Sequence, residues 1–350
     1  MQTFTCKPQI FFGGDALSQL GRRSCDHLLL VTDPFFQSSG IAQTVADHVP
    51  ANHVTMFAQV TPDPDTGLVA KAVAVMEETH PDLVIALGGG SPIDCAKAMI
   101  FAGSYRPFFV AIPTTSGTGS EVTSFSIVTH KGVKYPIVST DLVPDWAILD
   151  DSLVEKLPPA LVADAGFDLL VHALEALVST KGSPFTAALT TGAFQLTYDH
   201  LLSSYRGDTA CRGTIHQAAT MAGMAFDQGG LGICHSLSHA LGGAFHVPHG
   251  RLNAILAPAV IQFNGSPTYA KLASQCAIGS TVRSLSGGLV RLRNQLKLPE
   301  NLAQTGISHK MLMDNLDALT TVAMKDPCTQ TNPRPVTAGD LATILQAVMG

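Results

Sequence analysis

The sequence predicts an α/β domain with a parallel sheet, followed by an all-α domain. Residues 1–155 alternate short apolar runs with helical patterns, as a parallel α/β layer does. Residues 156–350 carry longer helical patterns, such as those over 187–202 and 212–226, with 284–288 read as a loop. Pro158-Pro159 predicts a hinge where the pattern changes. We therefore expect two domains, 1–155 and 156–350, in this chain of 350 residues.

The composition excludes several classes of protein. Hydrophobic residues make up 46% and charged residues 14%, which favours a large buried fraction and a homodimer or larger homo-oligomer. A net charge of -6 without a basic run argues against a nucleic-acid partner. The sequence has neither an apolar run long enough to span a membrane nor the apolar core of a signal peptide at its start. Its seven scattered cysteines fit reduced thiols. We expect a cytoplasmic protein without a membrane partner.

Four buried strands are predicted in the first domain, at 27–33, 54–60, 82–87 and 108–112. The first ends in Asp33. The third leads directly into Gly88-Gly89-Gly90-Ser91, after which a helix is expected to begin with Ser91 as N-cap and Pro92 at its first position. A strand, a glycine turn and a helix N-terminus together can hold a pyrophosphate, because backbone without side chains lets phosphate approach unpaired N–H groups.

A second loop rich in hydroxyl groups follows the fourth strand. It contains Thr114, Thr115 and Thr118, and it stands at a strand's carboxyl end, where open α/β sheets bind ligands. The alternative is that both loops are ordinary turns, since the glycine order departs from G-x-G-x-x-G. Lys134 is a candidate cation for a ribose or phosphate. Asp33, at its strand tip, would accept ribose hydroxyls and repel a 2'-phosphate, which favours NAD over NADP.

Histidines are concentrated in residues 234–250, which contain four of the chain's 13. His235 and His239 are four residues apart and would share one face of a helix. The Gly242-Gly243 pair would end or loosen that helix and let the chain bring His246 and His249 back. Imidazole is a common ligand of divalent transition metals, so the stretch predicts a metal site.

A carboxylate for this site is expected on a second helix. Asp168 and His172 are four residues apart within 163–177, a run with helical periodicity. Glu175 could support His172 or be solvated. Together with His235 and His249, the pair gives one carboxylate and three imidazoles, a set that suits Fe²⁺ or Zn²⁺ and leaves room for a substrate oxygen.

These motifs resemble the iron-containing, group III alcohol dehydrogenases nearly from end to end. The resemblance rests on Gly88–Ser91 with Asp94 and Lys97, on 113–121, on Asp168 with His172, on 235–250, and on the tail 326–334. It implies a Rossmann-like N-terminal domain that binds NAD(H) and a helical C-terminal domain that binds metal and substrate.

The resemblance also implies roles for single residues. Asp168, His172, His235 and His249 fall on the metal-ligand positions, and His239 on a position near the nicotinamide. Further residues fall on cofactor-contact positions: Asp33, Asp63, Gly89, Gly90, Ser91, Thr114, Thr115, Thr118 and Lys134. At Asp63 relatives often have Asn. The short connection from Gly90 to Thr114 resembles the propanol dehydrogenase branch of bacterial microcompartments, which implies other microcompartment enzymes as partners.

The expected activity is a metal-dependent interconversion of short aldehydes, such as propanal and acetaldehyde, with primary alcohols. The metal would act as a Lewis acid on the substrate oxygen, and His239 would relay the alcohol proton. Three alternatives remain: a zinc polyol dehydrogenase of the glycerol type, a lyase resembling dehydroquinate synthase, and a non-catalytic microcompartment assembly component.

Overall fold

Within residues 3–350, the part of the chain that the computed structural model describes, six strands form one parallel sheet. They belong to the first of two compact units, Met1–Lys156 and Leu157–Gly350. The described residues contain eight strands in all, which are, in chain order, β1 (Gln9–Gly13), β2 (Cys25–Val31), β3 (Ala51–Phe57), β4 (Leu83–Gly88), β5 (Phe108–Pro113), β6 (Phe125–His130), β7 (Val133–Val138) and β8 (Trp146–Asp150). The sheet has the spatial order β1-β8-β5-β4-β2-β3, and β6 and β7 form a separate antiparallel pair.

The four predicted strands correspond to β2, β3, β4 and β5, with ends displaced by three residues or fewer. The sequences of β2, β4 and β5 lack alternation because the sheet is covered on both faces there. Strand β3 lies at the sheet edge and is largely exposed, so the prediction that it is buried is wrong. In β2, for example, Leu29 and Val31 pack into one apolar cluster, whereas Leu28 and Leu30 pack into another. The predicted parallel α/β class of this unit is confirmed.

Helices surround this sheet. They are α1 (Pro34–Ser38), α2 (Ile41–Asp47), α3 (Thr66–Thr79) and α4 (Gly90–Ala102), with 3₁₀ helices at Ala16–Arg22, Ser120–Val122, Thr140–Leu142 and Asp151–Leu153. Lys97 of α4 is fully buried, and its Nζ donates to the carbonyl oxygens of Thr123 at 2.6 Å and Phe125 at 3.0 Å. Since an ammonium group is buried only when it is paired, these bonds fix the loop after β5 against α4.

The second unit is helical. Its helices are α5 (Pro159–Val178), α6 (Pro184–Tyr205), α7 (Thr209–Gly229), α8 (Ile233–Phe245), α9 (His249–Asn264), α10 (Pro267–Gln275), α11 (Val282–Gln295), α12 (His309–Lys325) and α13 (Ala338–Ala347), with 3₁₀ helices at Ala303–Thr305 and Pro327–Thr331. One apolar cluster joins them, and it includes Phe167 of α5, Leu237 of α8 and Ile255 of α9. No helix among residues 3–350 combines the length and apolarity needed to cross a lipid bilayer.

Two local predictions in this unit are wrong. Helix α8 continues through Gly242-Gly243 to Phe245 and ends where His246 adopts a left-handed φ of 56°. Residues 284–288 lie inside α11 instead of forming a loop, since Thr281 caps the helix by accepting from the Ser284 N–H at 3.0 Å. Glycine is required at position 288 for close packing of the helix, because a Cβ there would lie 2.6 Å from Cγ2 of Ile278.

Candidate functional site

A carboxylate and two imidazoles from three helices converge in the second unit. Asp168 lies on α5, His235 on α8 and His249 at the first position of α9. Oδ1 of Asp168 is 3.6 Å from Nε2 of His235 and 3.5 Å from Nε2 of His249. One donor atom from each residue lies within 4.8 Å of the other two. The structure therefore brings together three of the four predicted metal ligands.

His172 lies beside this trio without joining it as closely. Its Nε2 is 3.9 Å from Oδ1 of Asp168, one helical turn away on α5. Its ring stacks on His235 and on Phe226, with centroid distances of 4.5 Å to each. The ring is thus held between two flat neighbours, next to the donor atoms of the trio.

The approach of α9 to α5 depends on a glycine. A Cβ at Gly250 would collide with the backbone carbonyl of Asp164, one turn before Asp168 on α5. The Nε atom of Arg251 donates to Oδ1 of Asp164 at 3.1 Å, which ties the same two helix segments together. His249 is placed beside Asp168 because these two contacts bring the helices this close.

The charges of the trio are strongly coupled. Burial by itself would raise the pKa of Asp168, but the imidazoles of His172, His249 and His235 lower it well below its usual range. Burial favours neutral His235, yet hydrogen bonds to Asp168 and Glu175 outweigh it and raise the pKa of His235 to about 9. The cluster thus holds Asp168 as an anion, ready to neutralise a cation.

The donor atoms fit a small divalent metal ion. Ligand atoms about 2.1 Å from a tetrahedral ion lie about 3.4 Å from one another. The separations from Oδ1 of Asp168, between 3.5 and 3.9 Å, are close to that value. The side chain of His235 is 1% exposed and that of His249 is 35% exposed, so the trio is closed on one side and open on the other. A catalytic metal site requires such an open side for its substrate.

Sequence reasoning missed Asn253 and left the role of Glu175 open. Asn253 is fully buried, and its Nδ2 donates to Oδ1 of Asp168 at 2.6 Å and lies 3.1 Å from Nε2 of His249. Its position on α9, four residues after His249, is the signal that could have found it. Glu175 is buried, with its Oε2 2.6 Å from Nδ1 of His235.

His239 lies one turn after His235 on α8 and keeps 45% of its side chain exposed. Its Nδ1 is 2.8 Å from Oδ2 of Asp326, in the predicted tail motif. Its ring stacks on His249 with a centroid distance of 5.2 Å. Burial would raise the pKa of Asp326, but the bond from His239 lowers it to about 2. His239 therefore stands at the edge of the trio with a fixed ring and access to solvent.

The second set of predicted site residues follows the carboxyl edge of the sheet in the first unit. Strand β3 lies on one side of β2, and the chain then crosses to β4 on the other side. Ligands of open α/β sheets bind where the strand order reverses in this way. Asp33 lies two residues after the end of β2 and caps α1, accepting from the backbone N–H groups of Phe35 at 2.9 Å and Phe36 at 3.1 Å.

The glycine turn follows β4 on the other side of this reversal. Helix α4 begins at Gly90 with Gly89 as its N-cap, so the prediction that Ser91 is the N-cap is wrong. Ser91 Oγ instead accepts from the backbone N–H of Asp63 at 3.3 Å. The first turn of a helix leaves its N–H groups without partners in the helix. At Gly89 and Gly90 no side chain covers these groups, so a phosphate could approach them.

The hydroxyl loop faces this turn. A Cβ at Gly89 would lie 3.3 Å from Oγ1 of Thr115, and one at Gly90 would lie 3.3 Å from Cγ2 of Thr118. Thr114 begins the loop, and its N–H donates to the carbonyl oxygen of Gly88 at 3.0 Å. Two adjacent strand ends therefore form a narrow surface of backbone and hydroxyl groups.

Asp63 and Lys134 form an ion pair of 2.6 Å at the same edge. Asp63 adopts a left-handed φ of 56°, a conformation that Asn and Asp tolerate better than most residues. Through Ser91, this pair is joined to the first turn of α4. The structure thus places Asp63, Ser91 and Lys134 together, and their contact with a cofactor stays a prediction.

A glycine turn at a reversal of strand order and a carboxylate–imidazole cluster are parts that a metal-dependent oxidoreductase uses. Comparison with protein families agrees with this class. The family described as iron-containing alcohol dehydrogenase matches residues 7–151, and the C-terminal part of the Fe-containing alcohol dehydrogenase family matches residues 162–349. The chain belongs to the iron-containing alcohol dehydrogenase family, which confirms the predicted resemblance and the assignment as an enzyme.

Similar proteins extend over the whole chain. A 1-propanol dehydrogenase, PduQ, from Citrobacter freundii is 38% identical over 370 residues, covering 100% of both proteins. An NADPH-dependent butanol dehydrogenase from Clostridium saccharobutylicum is 37% identical and covers 99% of this chain and 98% of its own. The solved structure of an iron-containing alcohol dehydrogenase from Thermococcus thioreducens is 29% identical, with a TM-score of 0.92 and 99% of each chain covered. The predicted fold class of both units is therefore confirmed.

Proposed function

We propose that the chain interconverts short aldehydes, represented by propanal and acetaldehyde, with their primary alcohols, using NAD(H) and a bound Fe²⁺ or Zn²⁺. The observation that carries the proposal is the convergence of Asp168, His235 and His249 donor atoms within 4.8 Å of one another. Full-length similarity to a 1-propanol dehydrogenase supports the choice of a short primary alcohol.

Asp168, His172, His235 and His249 are the residues that would hold the ion. When bound, the ion supplies Lewis-acid stabilisation of charge on the substrate oxygen, while the nicotinamide donates or accepts the hydride. Asp168 provides the negative charge that three neutral imidazoles lack. The exposed side of His249 leaves an approach for a small substrate.

His239 exchanges the alcohol proton in this proposal. An ionised carboxylate only accepts hydrogen bonds, so Asp326 keeps the proton of His239 on Nδ1. Nε2 is then the atom that receives a proton from an alcohol or passes one to an alkoxide. The 45% exposure of the side chain lets that proton reach solvent.

The cofactor would occupy the sheet edge of the first unit. Gly89 and Gly90 let the pyrophosphate approach the first turn of α4, and the hydroxyls of Thr114, Thr115 and Thr118 border the same surface. Asp63, Ser91 and Lys134 offer polar contacts. Asp33 favours NADH, although the butanol dehydrogenase relative is named as NADPH-dependent.

The proposal includes assembly. Exposed apolar side chains such as Phe12 on the edge strand β1, at 64%, and Phe185, at 63%, support a homo-oligomer. Light scattering of the purified protein should give a mass of at least twice 36.7 kDa. Association with microcompartment enzymes rests on the resemblance of the Gly90 to Thr114 connection to that branch. It predicts that the protein sediments with microcompartments from cells that make it.

The test is metal analysis of anaerobically purified protein, combined with NADH oxidation in the presence of propanal or acetaldehyde. We expect about one iron or zinc per chain and turnover with both aldehydes. His249→Ala should lose both metal and turnover. The matched control is His246→Asn, which removes an exposed imidazole from the same segment with a residue that tolerates its left-handed backbone. It should behave like the wild type.

Other outcomes would contradict the proposal. Turnover that survives metal removal would rule out the Lewis-acid role. Bound metal with oxidation of glycerol but no turnover of short aldehydes would favour the polyol dehydrogenase. Bound metal without any turnover would favour a non-catalytic assembly component.

A further inference from the structure

Each of the two histidines of α8 has a carboxylate within hydrogen-bond distance of its Nδ1 atom. Nδ1 of His235 is 2.6 Å from Oε2 of Glu175, and Nδ1 of His239 is 2.8 Å from Oδ2 of Asp326. Because an ionised carboxylate only accepts, each neutral ring carries its proton on Nδ1 and its lone pair on Nε2. Nε2 of His235 is the atom that lies 3.6 Å from Oδ1 of Asp168.

Glu175 does more than contact one ring. Its Oε1 accepts from the backbone N–H of Cys234 at 2.7 Å, and its Oε2 accepts from that of Gly232 at 2.9 Å. These groups belong to the start of α8, where N–H groups have no partner within the helix. The carboxylate of Glu175 therefore caps α8 and orients His235 at the same time, in a site that is 3% exposed.

The helix that carries Glu175 also carries Asp168 and His172. Glu175 lies one turn after His172 on α5, and its bonds reach the helix that supplies His235. One carboxylate thus fixes the position of α8 against α5, the tautomer of His235 and the direction of its lone pair.

We propose that Glu175 is the positioning residue of the metal centre, because it holds His235 in the Nδ1–H tautomer that directs Nε2 at the ion. The proposal rests on the proposed function, in which His235 is a ligand. Carboxylates that bond the outer nitrogen of a ligating imidazole typically increase metal affinity by 10- to 100-fold. Glu175 is not a catalytic residue in this account, since it acts only through His235.

The experiment uses Co²⁺ as the probe, added to full-length protein freed of metal with a chelator. Glu175→Gln places an N–H₂ group where an acceptor is required and removes the charge, while it preserves the volume of the side chain. The matched control is Glu300→Gln, which makes the same chemical change at an exposed carboxylate of the same unit. Affinity is measured by chelator competition, ligation by the visible Co²⁺ spectrum, and stability by the melting temperature of the metal-free protein.

We expect Glu175→Gln to bind Co²⁺ about 10- to 100-fold more weakly than the wild type, with an altered visible spectrum. Glu300→Gln should match the wild type in both. If Glu175 only capped α8, Glu175→Gln would melt at a lower temperature but keep the affinity and spectrum of the wild type, which would overturn the proposal. Failure of the wild type itself to bind Co²⁺ would instead contradict the proposed function and remove the basis of this inference.

If Glu175→Gln does not fold, the zinc-loaded wild type tests the same point. The ¹⁵N resonances of His235, assigned with a His235→Gln variant, should show a proton on Nδ1 and zinc on Nε2. Zinc on Nδ1, or an unprotonated Nδ1, would overturn the proposal.

Discussion

The sheet edge of the first unit and the proposed metal cluster of the second, which is called the metal cluster below, are formed by different kinds of chemical group. The sheet edge consists largely of backbone groups and of polar side chains that range from buried, as Thr114 is, to exposed, as in the Asp63–Lys134 pair at 61% and 53%. The metal cluster consists of side chains, of which Asp168 at 9% and His235 at 1% are buried and His249 at 35% is partly exposed. The sheet edge therefore depends on the path of the chain at strand ends. The cluster depends on how the three helices α5, α8 and α9 pack against one another.

The largest effect is expected where two of those helices touch. Gly250→Ala would drive a methyl group into the backbone carbonyl of Asp164, which cannot move without shifting α5. We expect a loss of about 3 kcal/mol or more in the free energy of unfolding, together with a reduced metal content. Denaturant titration and metal analysis measure the two quantities.

Gly243→Ala is the control for that prediction. Gly243 lies in α8, and a Cβ there would meet no heavy atom within 4 Å. This variant should be more stable than the wild type by about 0.5–1 kcal/mol, the usual gain from alanine inside a helix. If both variants had equal stability and metal content, the cluster would not depend on close contact between α5 and α9.

A smaller effect is expected at the sheet edge, where one charge can be changed without loss of a helix cap. Asp33→Ser keeps an oxygen that can cap α1 but removes the charge facing a 2'-phosphate. The ratio of kcat/KM with NADH to that with NADPH should fall by about tenfold or more. The control is Asp65→Ser, which changes an acidic cap on α3. An unaltered ratio in Asp33→Ser would exclude Asp33 from coenzyme selection.

A pH-dependent effect is expected at the buried Asp94 of α4. Burial raises the pKa of Asp94 from 3.8 to about 7, against the opposing charge of Lys97. Folding therefore favours the protonated form, so the contribution of Asp94 to the free energy of unfolding should fall as the pH rises from about 4 to about 7. Asp94→Asn should gain stability relative to the wild type over this window, as melting curves at several pH values would show. A difference that does not vary with pH would contradict this assignment, and the exposed Asp47→Asn variant serves as the control.

Local spacing was sufficient to predict much of the fold and the placement of Asp168, His172 and His235 on helices. Strands β2, β4 and β5 were predictable because burial on both faces makes them continuous apolar runs, as in Leu28–Val31. The placement of His235 on a helix followed from its distance to His239. Helix ends were less predictable: a glycine pair inside α8 did not end it, because helix length is set by packing as well as by propensity.

The support of the cluster could not be predicted from spacing. Asn253 and Glu175 contact His235 across 18 and 60 residues of sequence, and such contacts exist only once α5, α8 and α9 are packed. The approach at Gly250 is likewise a property of two helices and not of its own neighbours in sequence. The sheet edge was easier to predict, since a strand followed directly by a glycine turn is enough to predict the exposed backbone at the start of α4.

The measurement that tests this account most directly determines metal content and NADH affinity on the same two variants, His235→Ala and Gly90→Val. Valine at Gly90 would fill the surface beside Thr118, because even its Cβ would lie 3.3 Å from Cγ2 of Thr118. We predict that His235→Ala loses its metal and binds NADH as the wild type does. Gly90→Val should keep its metal and bind NADH at least about tenfold more weakly. If His235→Ala retained stoichiometric metal, or Gly90→Val bound NADH normally, the division of the chain into a side-chain metal site and a backbone cofactor site would be wrong.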